Sequence, residues 1–156
     1  MEHLSDVFHQ LVTHTVEEIF YILFQNRGLL MEFNLMISGA LERVQPNEID
    51  NELVTRRGRI KRVHIPQWVK RAVYFRDRGQ CVMCNKDLSG ILSLNNTENY
   101  DHILPLAHYG FNDVSNIQLL CKECNQKEKR AGQAVTSSLY QKKWYNERTI
   151  RFLREN

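Results

Sequence analysis

No stretch of the 156 residues approaches the ~20 consecutive apolar residues that a membrane helix needs, so we expect no membrane-spanning segment. The chain opens with Met1-Glu2-His3 and lacks the basic region and apolar run of a secretory signal, which predicts an intracellular, cytoplasmic protein. It also lacks internal repeats and low-complexity tracts. Hydrophobic residues make up 42% and charged residues 25%, which excludes a disordered or fibrous chain. The length suits one ordinary domain, or one small domain with a helical extension.

Basic residues are scarce at the start of the chain, where Arg27 and Arg43 face eight acidic residues within positions 1–50. Because the net charge is +3, the rest of the chain carries a large positive excess. Residues 56–78 are its densest part, with Asp77 as the one acidic residue. Such an excess predicts a polyanionic partner, usually a phosphate backbone, although a solvated loop or helix face is the alternative for a basic run alone.

Two helices are predicted at the N-terminus. From Leu4 to Phe24 apolar residues recur at spacings of three and four, and Gly28 suits the end of that helix. A second helical run covers Leu29 to Val44. Residues 1–46 are therefore predicted to form an acidic helical hairpin with a broad apolar face. Packing within the chain is the favoured role of that face, and dimerisation or partner docking are the alternatives.

The remainder of the chain divides into three parts. Residues 47–64 are polar and basic and are interpreted as a linker or basic arm. A helix is predicted from Pro66 to a stop at Gly79, with Trp68 and Tyr74 expected in the core. Apolar stretches follow at 91–94 and 100–106, a short polar helix at about 122–131, and a basic helix within 132–156.

Two Cys-x-x-Cys pairs are the strongest chemical signal in the sequence: Cys81, Cys84, Cys121 and Cys124. Two such turns can place four thiolates around one tetrahedral ion, which predicts a structural zinc site. A redox motif would account for one pair and not for two, and a reducing compartment disfavours disulfides. The 36 residues between the pairs indicate that a further segment is looped out between the two Cys-x-x-Cys turns, here called the knuckles.

That segment contains Asp101-His102-Ile103-Leu104-Pro105, then Asn116 with apolar residues leading into Cys121-Lys122-Glu123-Cys124-Asn125. The arrangement resembles the HNH endonuclease family in its ββα-metal form, over residues 65–131. The resemblance implies an α+β fold: a helical N-terminal extension, a small zinc-stapled ββα-metal (HNH, or His-Me finger) domain and a C-terminal helix.

The resemblance also implies site roles. His102, at the end of the first strand, corresponds to the general base, and Asn116 to the residue that supports the loop and orients this base. Asp101 and Asn125 correspond to ligands of the catalytic ion, and two oxygen ligands favour Mg²⁺ or Mn²⁺. Neighbouring strand residues face opposite ways, so either the strand is distorted or the base approaches from the other side of the scissile phosphate.

The function that this resemblance implies is metal-dependent hydrolysis of DNA, expected to be double-stranded, to 5′-phosphate and 3′-hydroxyl ends. The alternatives are a catalytically silent zinc-ribbon module that binds nucleic acid, and a nuclease subunit of a larger complex, for example in antiviral defence. The candidate DNA-backbone contacts are Arg56, Arg57, Arg59, Lys61, Arg62, Arg71, Arg76, Arg78, Lys127 and Lys129. Contacts to the DNA backbone do not distinguish one base from another, so the sequence predicts no target site.

Overall fold

The computed structural model describes residues 2–44, 49–50, 52–56, 58–91, 94 and 96–137, with the backbone alone for 2–4 and 128–131. Four helices and two strands follow one another along these residues: α1 (Glu2–Phe24), α2 (Arg27–Leu41), α3 (Gln67–Arg76), β1 (Asn99–His102), β2 (Ile117–Leu120) and α4 (Lys122–Ala131). The predicted α+β class is therefore confirmed. No helix in the described part of the chain is long and apolar enough to cross a membrane.

The break between α1 and α2 falls two residues earlier than the sequence suggested. Asn26 caps α2, and its Oδ1 accepts a hydrogen bond from the backbone N–H of Leu29 at 3.1 Å. Gly28 lies inside the first turn of α2, so its prediction as the stop of α1 is wrong. The physical reason is that an asparagine side chain satisfies a free N–H at the start of α2, which a glycine cannot do.

Helix α1 contacts α2, but α2 does not cover the apolar face that the sequence predicts for α1. Every side chain of residues 5–23 is exposed, and Phe24 is the first buried residue of α1. α2 instead packs on the rest of the chain through Leu30, Asn34 and Ser38, which are buried. The Ser38 hydroxyl donates to the backbone carbonyl of His108 at 2.7 Å. The helix α2 is thus part of the folded unit, and the apolar face of α1 stays open.

The sheet consists of β1 and β2, paired antiparallel with Asp101 opposite Gln118 and His102 opposite Ile117. Helix α3 packs on β2, and α4 packs on β1. Leu119 and Leu120 are fully buried and belong to the same core cluster as Val73 of α3. His102 ends β1, as predicted. The apolar stretch 91–94 lies outside the sheet.

Helix α3 buries Val69 and Val73 and half-buries Tyr74, which packs against the core as expected. Trp68, in contrast, is 63% exposed, so its predicted core role is wrong. The helix is ten residues long, and one stripe of it faces β2, whereas Trp68 lies on a different side. Gly79 has a φ of 62°, and its N–H bonds the carbonyl of Tyr74, which closes the turn after the helix.

A buried ionic cluster ties α2, α3 and β2 together. The Asp77 carboxylate accepts hydrogen bonds from Nη1 of Arg27 at 3.1 Å, from Nε of Arg76 at 2.9 Å and from the N–H of Leu119 at 2.9 Å. Arg76 also donates to the carbonyl of Ile117 and is 1% exposed. The interpretation of Arg76 as a DNA-backbone contact is therefore wrong, because its guanidinium is used inside the core.

The described part of residues 47–64, interpreted above as a linker or basic arm, reaches the segment that carries the HNH motif. Val54 and Ile60 form an isolated antiparallel bridge around a turn at Gly58. The backbone carbonyl of Lys61 then accepts a hydrogen bond from Nδ2 of Asn112 at 2.8 Å. Residues 58–64, here called the arm, thus lie beside the end of β1.

The chain after α4 returns across the sheet. Gly132 ends α4 in the left-handed conformation, with a φ of 63°. The N–H of Val135 donates to the carbonyl of Ile103 at 3.0 Å, and the carbonyl of Ser137 accepts from Arg27 at 3.0 Å. Residues 132–137, here called the return segment, are not helical. The rest of the predicted basic helix, 138–156, lies outside the described residues.

Candidate active site and zinc site

The four cysteines meet at one point beside β2. Their sulfur atoms all lie within 4.8 Å of one another, and all four are free thiols. Sγ of Cys84 lies 3.8 Å from Sγ of Cys121. A tetrahedron with Zn–S bonds of about 2.3 Å has S···S edges of roughly 3.8 Å, whereas a disulfide needs about 2 Å. The spacing therefore fits a zinc ion and excludes a disulfide between these two residues.

Each knuckle is held by the elements around it. The first is tied to the sheet because the N–H of Val82 donates to the carbonyl of Leu119 at 3.0 Å. The second begins where β2 ends, and Cys121 is the N-cap of α4, with its sulfur 3.4 Å from the N–H of Cys124. A metal at this point would join the turn after α3, the end of β2 and the start of α4.

Asp101 and His102 border the same cavity of about 290 Å³, next to the start of the return segment. The alternation of β1 turns their side chains to opposite faces, with Asp101 beside Gln118 on one face and His102 beside Ile117 on the other. Because His102 is the last residue of β1, its ring also borders a second, apolar pocket of about 140 Å³. Asp101 and His102 therefore line one cavity although the strand alternation gives their side chains opposite directions.

The imidazole of His102 has a defined hydrogen-bonding state. Nδ2 of Asn112 donates to a carbonyl, so Oδ1 of Asn112 is the atom that faces Nε2 of His102, at 3.3 Å. An amide oxygen accepts and cannot donate, so Nε2 carries the proton and Nδ1 keeps its lone pair. Nδ1 is buried and has no hydrogen-bond partner among the described residues.

The electrostatic surroundings keep this imidazole neutral. Burial lowers the pKa of His102 below its usual value, and the positive charge of Arg62 lowers it further. Asp101 and the hydrogen bond to Asn112 act in the opposite direction but are weaker. The neutral form, which can accept a proton, is therefore favoured at neutral pH.

Asn116 is fully buried and holds the loop between the strands. Its Oδ1 accepts from the N–H of Leu104 at 2.8 Å, and its Nδ2 donates to the carbonyls of Leu104 and Phe111, each at 3.0 Å. These bonds fix the backbone that follows His102. The Asn116 side chain thus bonds only backbone groups of the loop in these three hydrogen bonds. Its predicted role in orienting His102 would therefore act through the loop backbone.

Asn125 lies one turn into α4, the helix that packs on β1, and it is half-buried. Its Oδ1 is buried without a hydrogen-bond partner in the described part of the chain. The same holds for Nδ1 of His102 and for Oε1 of Gln118. A buried polar atom without a partner indicates a missing water or ion. Asp101 and Gln118 line the cavity described above, and Asn125 is not among its lining residues. A carboxylate and amide oxygens are donors that suit a hard divalent ion.

The residues predicted to contact DNA differ in where they lie. Arg62 lies at the cavity, with Nη2 at 4.0 Å from Oδ1 of Asp101. The exposed members elsewhere are Arg56, Arg59, Lys61, Arg71, Arg78 and Lys127. Arg57 and the side chain of Lys129 lie outside the described residues, and Arg76 is buried as stated above.

Sequence reasoning missed two residues of this site. Asn112 lies ten positions after His102, and no spacing rule of the sequence connects the two residues. Gln118 lies between Ile117 and Leu119 in a strand whose residues are all buried. A polar residue at such a position is a signal that could have been used, since buried polar side chains need a partner.

A two-stranded antiparallel sheet is followed by a helix, and four cysteines gather at their junction in a small α+β domain, where their sulfur atoms are close enough to hold one metal ion. A family model for HNH endonucleases matches residues 81–131. The chain therefore contains an HNH endonuclease domain, which includes both knuckles, both strands and α4. Comparisons with curated proteins and with solved structures found no match.

Proposed function

We propose that this protein is a metal-dependent endonuclease that hydrolyses phosphodiester bonds in double-stranded DNA. The HNH endonuclease domain supports a nuclease function in general, and HNH nucleases act on DNA. The observation that carries the specific proposal is the shared cavity of Asp101 and His102. It combines an acidic oxygen donor with a neutral imidazole whose Nδ1 has no partner in the described residues.

In the proposed reaction, Nδ1 of His102 accepts a proton from the attacking water as the water oxygen bonds to phosphorus. The bond between phosphorus and the 3′-oxygen breaks, and a proton from solvent completes the 3′-hydroxyl. The phosphate stays on the 5′ end. Asn112 keeps the proton of the imidazole on Nε2, and Asn116 holds the loop that follows the base. Arg62, exposed at the cavity, would contact the substrate phosphate.

Asp101 and Asn125 would hold the catalytic ion, for which Mg²⁺ or Mn²⁺ is the proposed identity. When bound, such an ion supplies Lewis-acid stabilisation of the phosphate and of the leaving 3′-oxygen. The zinc ion proposed for the four cysteines has a separate, structural task. All four thiolates would be used as ligands, so that site keeps no open position for substrate.

Cleavage of supercoiled plasmid with Mg²⁺ or Mn²⁺ tests this function. Wild type is expected to nick the plasmid, and His102→Ala to lose at least 100-fold in rate, as is usual for removal of a general base. His108→Ala is the matched control, because His108 lines the same cavity and its described hydrogen bonds use backbone atoms. Cleavage that persists in His102→Ala would refute the mechanism. DNA binding without cleavage by wild type would favour a silent zinc-ribbon binding module.

We also propose that the open face of α1 binds a second copy of the chain. Positions 8, 12, 16, 19 and 23 share one side of the helix, and Asp6, Gln10 and Glu17 lie on the other. Ten large hydrophobic side chains of α1 are between 38% and 72% exposed and present on the order of 800 Å², the area that one partner contributes to a standard interface. A dimer would supply two active sites, one for each DNA strand.

Light scattering after size-exclusion chromatography tests the dimer. Wild type is expected at twice the mass of one chain, and Phe8→Glu with Ile19→Glu at the mass of one chain. Gln10→Glu adds a negative charge on the opposite side of α1 and should leave the dimer intact. A wild-type monomer at all micromolar concentrations would contradict this proposal and assign the face to a different protein.

A further inference from the structure

Gln118 is a buried polar side chain for which neither the zinc site nor the base accounts. It lies in β2 directly opposite Asp101, on the same face of the sheet, and is 1% exposed. Directly opposed residues of an antiparallel pair have Cβ atoms about 5 Å apart, so a glutamine side chain reaches the neighbourhood of the facing carboxylate. Gln118 also borders the cavity that Asp101 and His102 share.

The orientation of the Gln118 amide follows from its one described hydrogen bond. Nε2 donates to the backbone carbonyl of Val135 at 2.8 Å. A carbonyl can only accept, so the nitrogen must face Val135 and Oε1 must point the other way. Oε1 is buried and has no partner among the described residues. Leaving such an acceptor unsatisfied is unfavourable, and a bound cation or its water would offset that cost.

Val135 belongs to the return segment, outside the matched family region 81–131. The segment is anchored because Val135 donates to the carbonyl of Ile103, one residue after His102. A single residue of the return segment thus bonds Gln118 of β2 and the residue that follows β1, at the end of the sheet where the proposed catalytic side chains lie. This arrangement keeps the amide of Gln118 in one orientation.

We propose that Oε1 of Gln118 is a further oxygen ligand of the catalytic ion, and that the return segment positions it. This inference rests on the proposed nuclease function, since it assumes that Asp101 binds the ion. The ligand set of the chain then becomes Asp101, Asn125 and Gln118, three oxygen donors. It would explain why a polar residue is fully buried in a strand that is otherwise apolar from Ile117 to Leu120.

Binding of Mn²⁺ to the zinc-loaded full chain, measured without DNA by electron paramagnetic resonance, tests the proposal independently of activity. Gln118→Leu keeps the size of the side chain and removes both polar atoms, and we expect its Mn²⁺ affinity to fall about tenfold or more. Gln118→Glu keeps an oxygen at the same position and should bind at least as tightly as wild type. Gln126→Leu, at an exposed position of α4, is the matched control and should have no effect.

The variants distinguish a failure of the ligand role of Gln118 from a failure of the whole metal site. If Gln118→Leu binds Mn²⁺ as wild type does while Asp101→Ala loses binding, the ligand role of Gln118 is wrong and the metal site stands. If both variants bind as wild type does, the metal site and the proposed function are wrong together. Zinc content and thermal unfolding of each variant show whether the fold is kept. Loss of Mn²⁺ binding in Gln118→Leu that Gln118→Glu does not restore would overturn the oxygen-ligand role.

Discussion

Nε2 of His102 and Oδ1 of Asn112 lie 3.3 Å apart, and the second bond of Asn112, to the carbonyl of Lys61, decides which of its atoms faces the ring. The arm therefore takes part in setting the tautomer of the proposed base, although it lies 40 residues before it in the chain. This relationship explains why Nδ1, rather than Nε2, is available to accept a proton.

Replacing Asn112 tests that relationship. Asn112→Ala removes the acceptor from Nε2–H, so both tautomers become accessible and the ring is less well oriented. We expect the rate of DNA cleavage to fall about tenfold or more, with little change in KM. Asn112→Asp keeps an acceptor oxygen and should recover part of the rate. ¹⁵N chemical shifts of the His102 ring would report the tautomer directly, and an unchanged tautomer in Asn112→Ala would contradict this reading.

The pH dependence of cleavage follows from the surroundings of His102. Because burial and the charge of Arg62 lower its pKa, the imidazole loses its proton at a lower pH than an ordinary histidine. Activity should rise with pH through this lowered pKa, so that the midpoint of the rise lies below about pH 6.5, the ordinary value. Arg62→Gln removes one of the two lowering effects, so the rise should move to higher pH. An NMR titration of the ring checks the same shift without substrate.

The free energy of unfolding should also rise with pH through the lowered pKa of His102. A histidine with a lowered pKa in the folded state binds protons more weakly there than in the unfolded chain. The contribution of His102 to the free energy of unfolding is fully present above about pH 6.5, the pKa of an ordinary histidine. It is lost as the pH falls through the lowered pKa of the folded state. Thermal unfolding of wild type and His102→Gln across this range measures the difference. A wild-type protein that gains stability on acidification, relative to the variant, would refute the direction.

Zinc removal should unfold the domain. Chelation, or Cys121→Ser, is expected to abolish the cooperative thermal transition, because the ion would join α3, β2 and α4 through a small core. Burial raises the pKa of the Cys121 thiol to about 11, so zinc must displace protons and should bind more weakly as the pH falls. Elemental analysis should find one zinc per chain. Excess Mg²⁺ should not restore folding, and a folded protein without zinc would contradict the proposed staple.

The two arginines of α3 should behave in opposite ways. Arg76→Ala breaks the buried cluster around Asp77 and is expected to lower the free energy of unfolding by about 3–5 kcal/mol. Arg71→Ala lies on the surface and should leave stability within about 0.5 kcal/mol while weakening DNA binding. Urea unfolding measures the first effect. Fluorescence anisotropy at several salt concentrations measures the second, with a salt slope smaller by about one.

Gly110 offers a test of the loop between the strands. A Cβ at this position would lie 2.0 Å from the backbone carbonyl oxygen of Leu104, a contact with main chain that cannot move aside easily. Gly110→Ala should therefore displace the loop that Asn116 holds and lower both stability and cleavage. Gly39→Ala is the matched control, since nothing lies within 4 Å of its added Cβ. Equal melting temperatures for the two variants would contradict the close approach.

The sequence by itself determined the zinc knuckles, the HNH motif, the order of the elements and the bounds of α4. These features are local: cysteine spacing, strand residues on either side of a loop, and a glycine after a helix can each be recognised within a few positions. The position of His102 at the end of β1 also followed from its motif.

Only the tertiary structure decided which polar residues meet. Arg71 and Arg76 look equivalent in the sequence, and burial against Asp77 distinguishes them. Asn112 and Gln118 became parts of the site through contacts with Lys61 and Val135, each distant along the chain. The hydrophobic periodicity of α1 likewise did not show that its apolar face stays open. An apolar stripe indicates that one face of a helix can be buried, but it does not identify the surface that covers this face. Such contacts depend on where the chain returns in space, which local spacing does not encode.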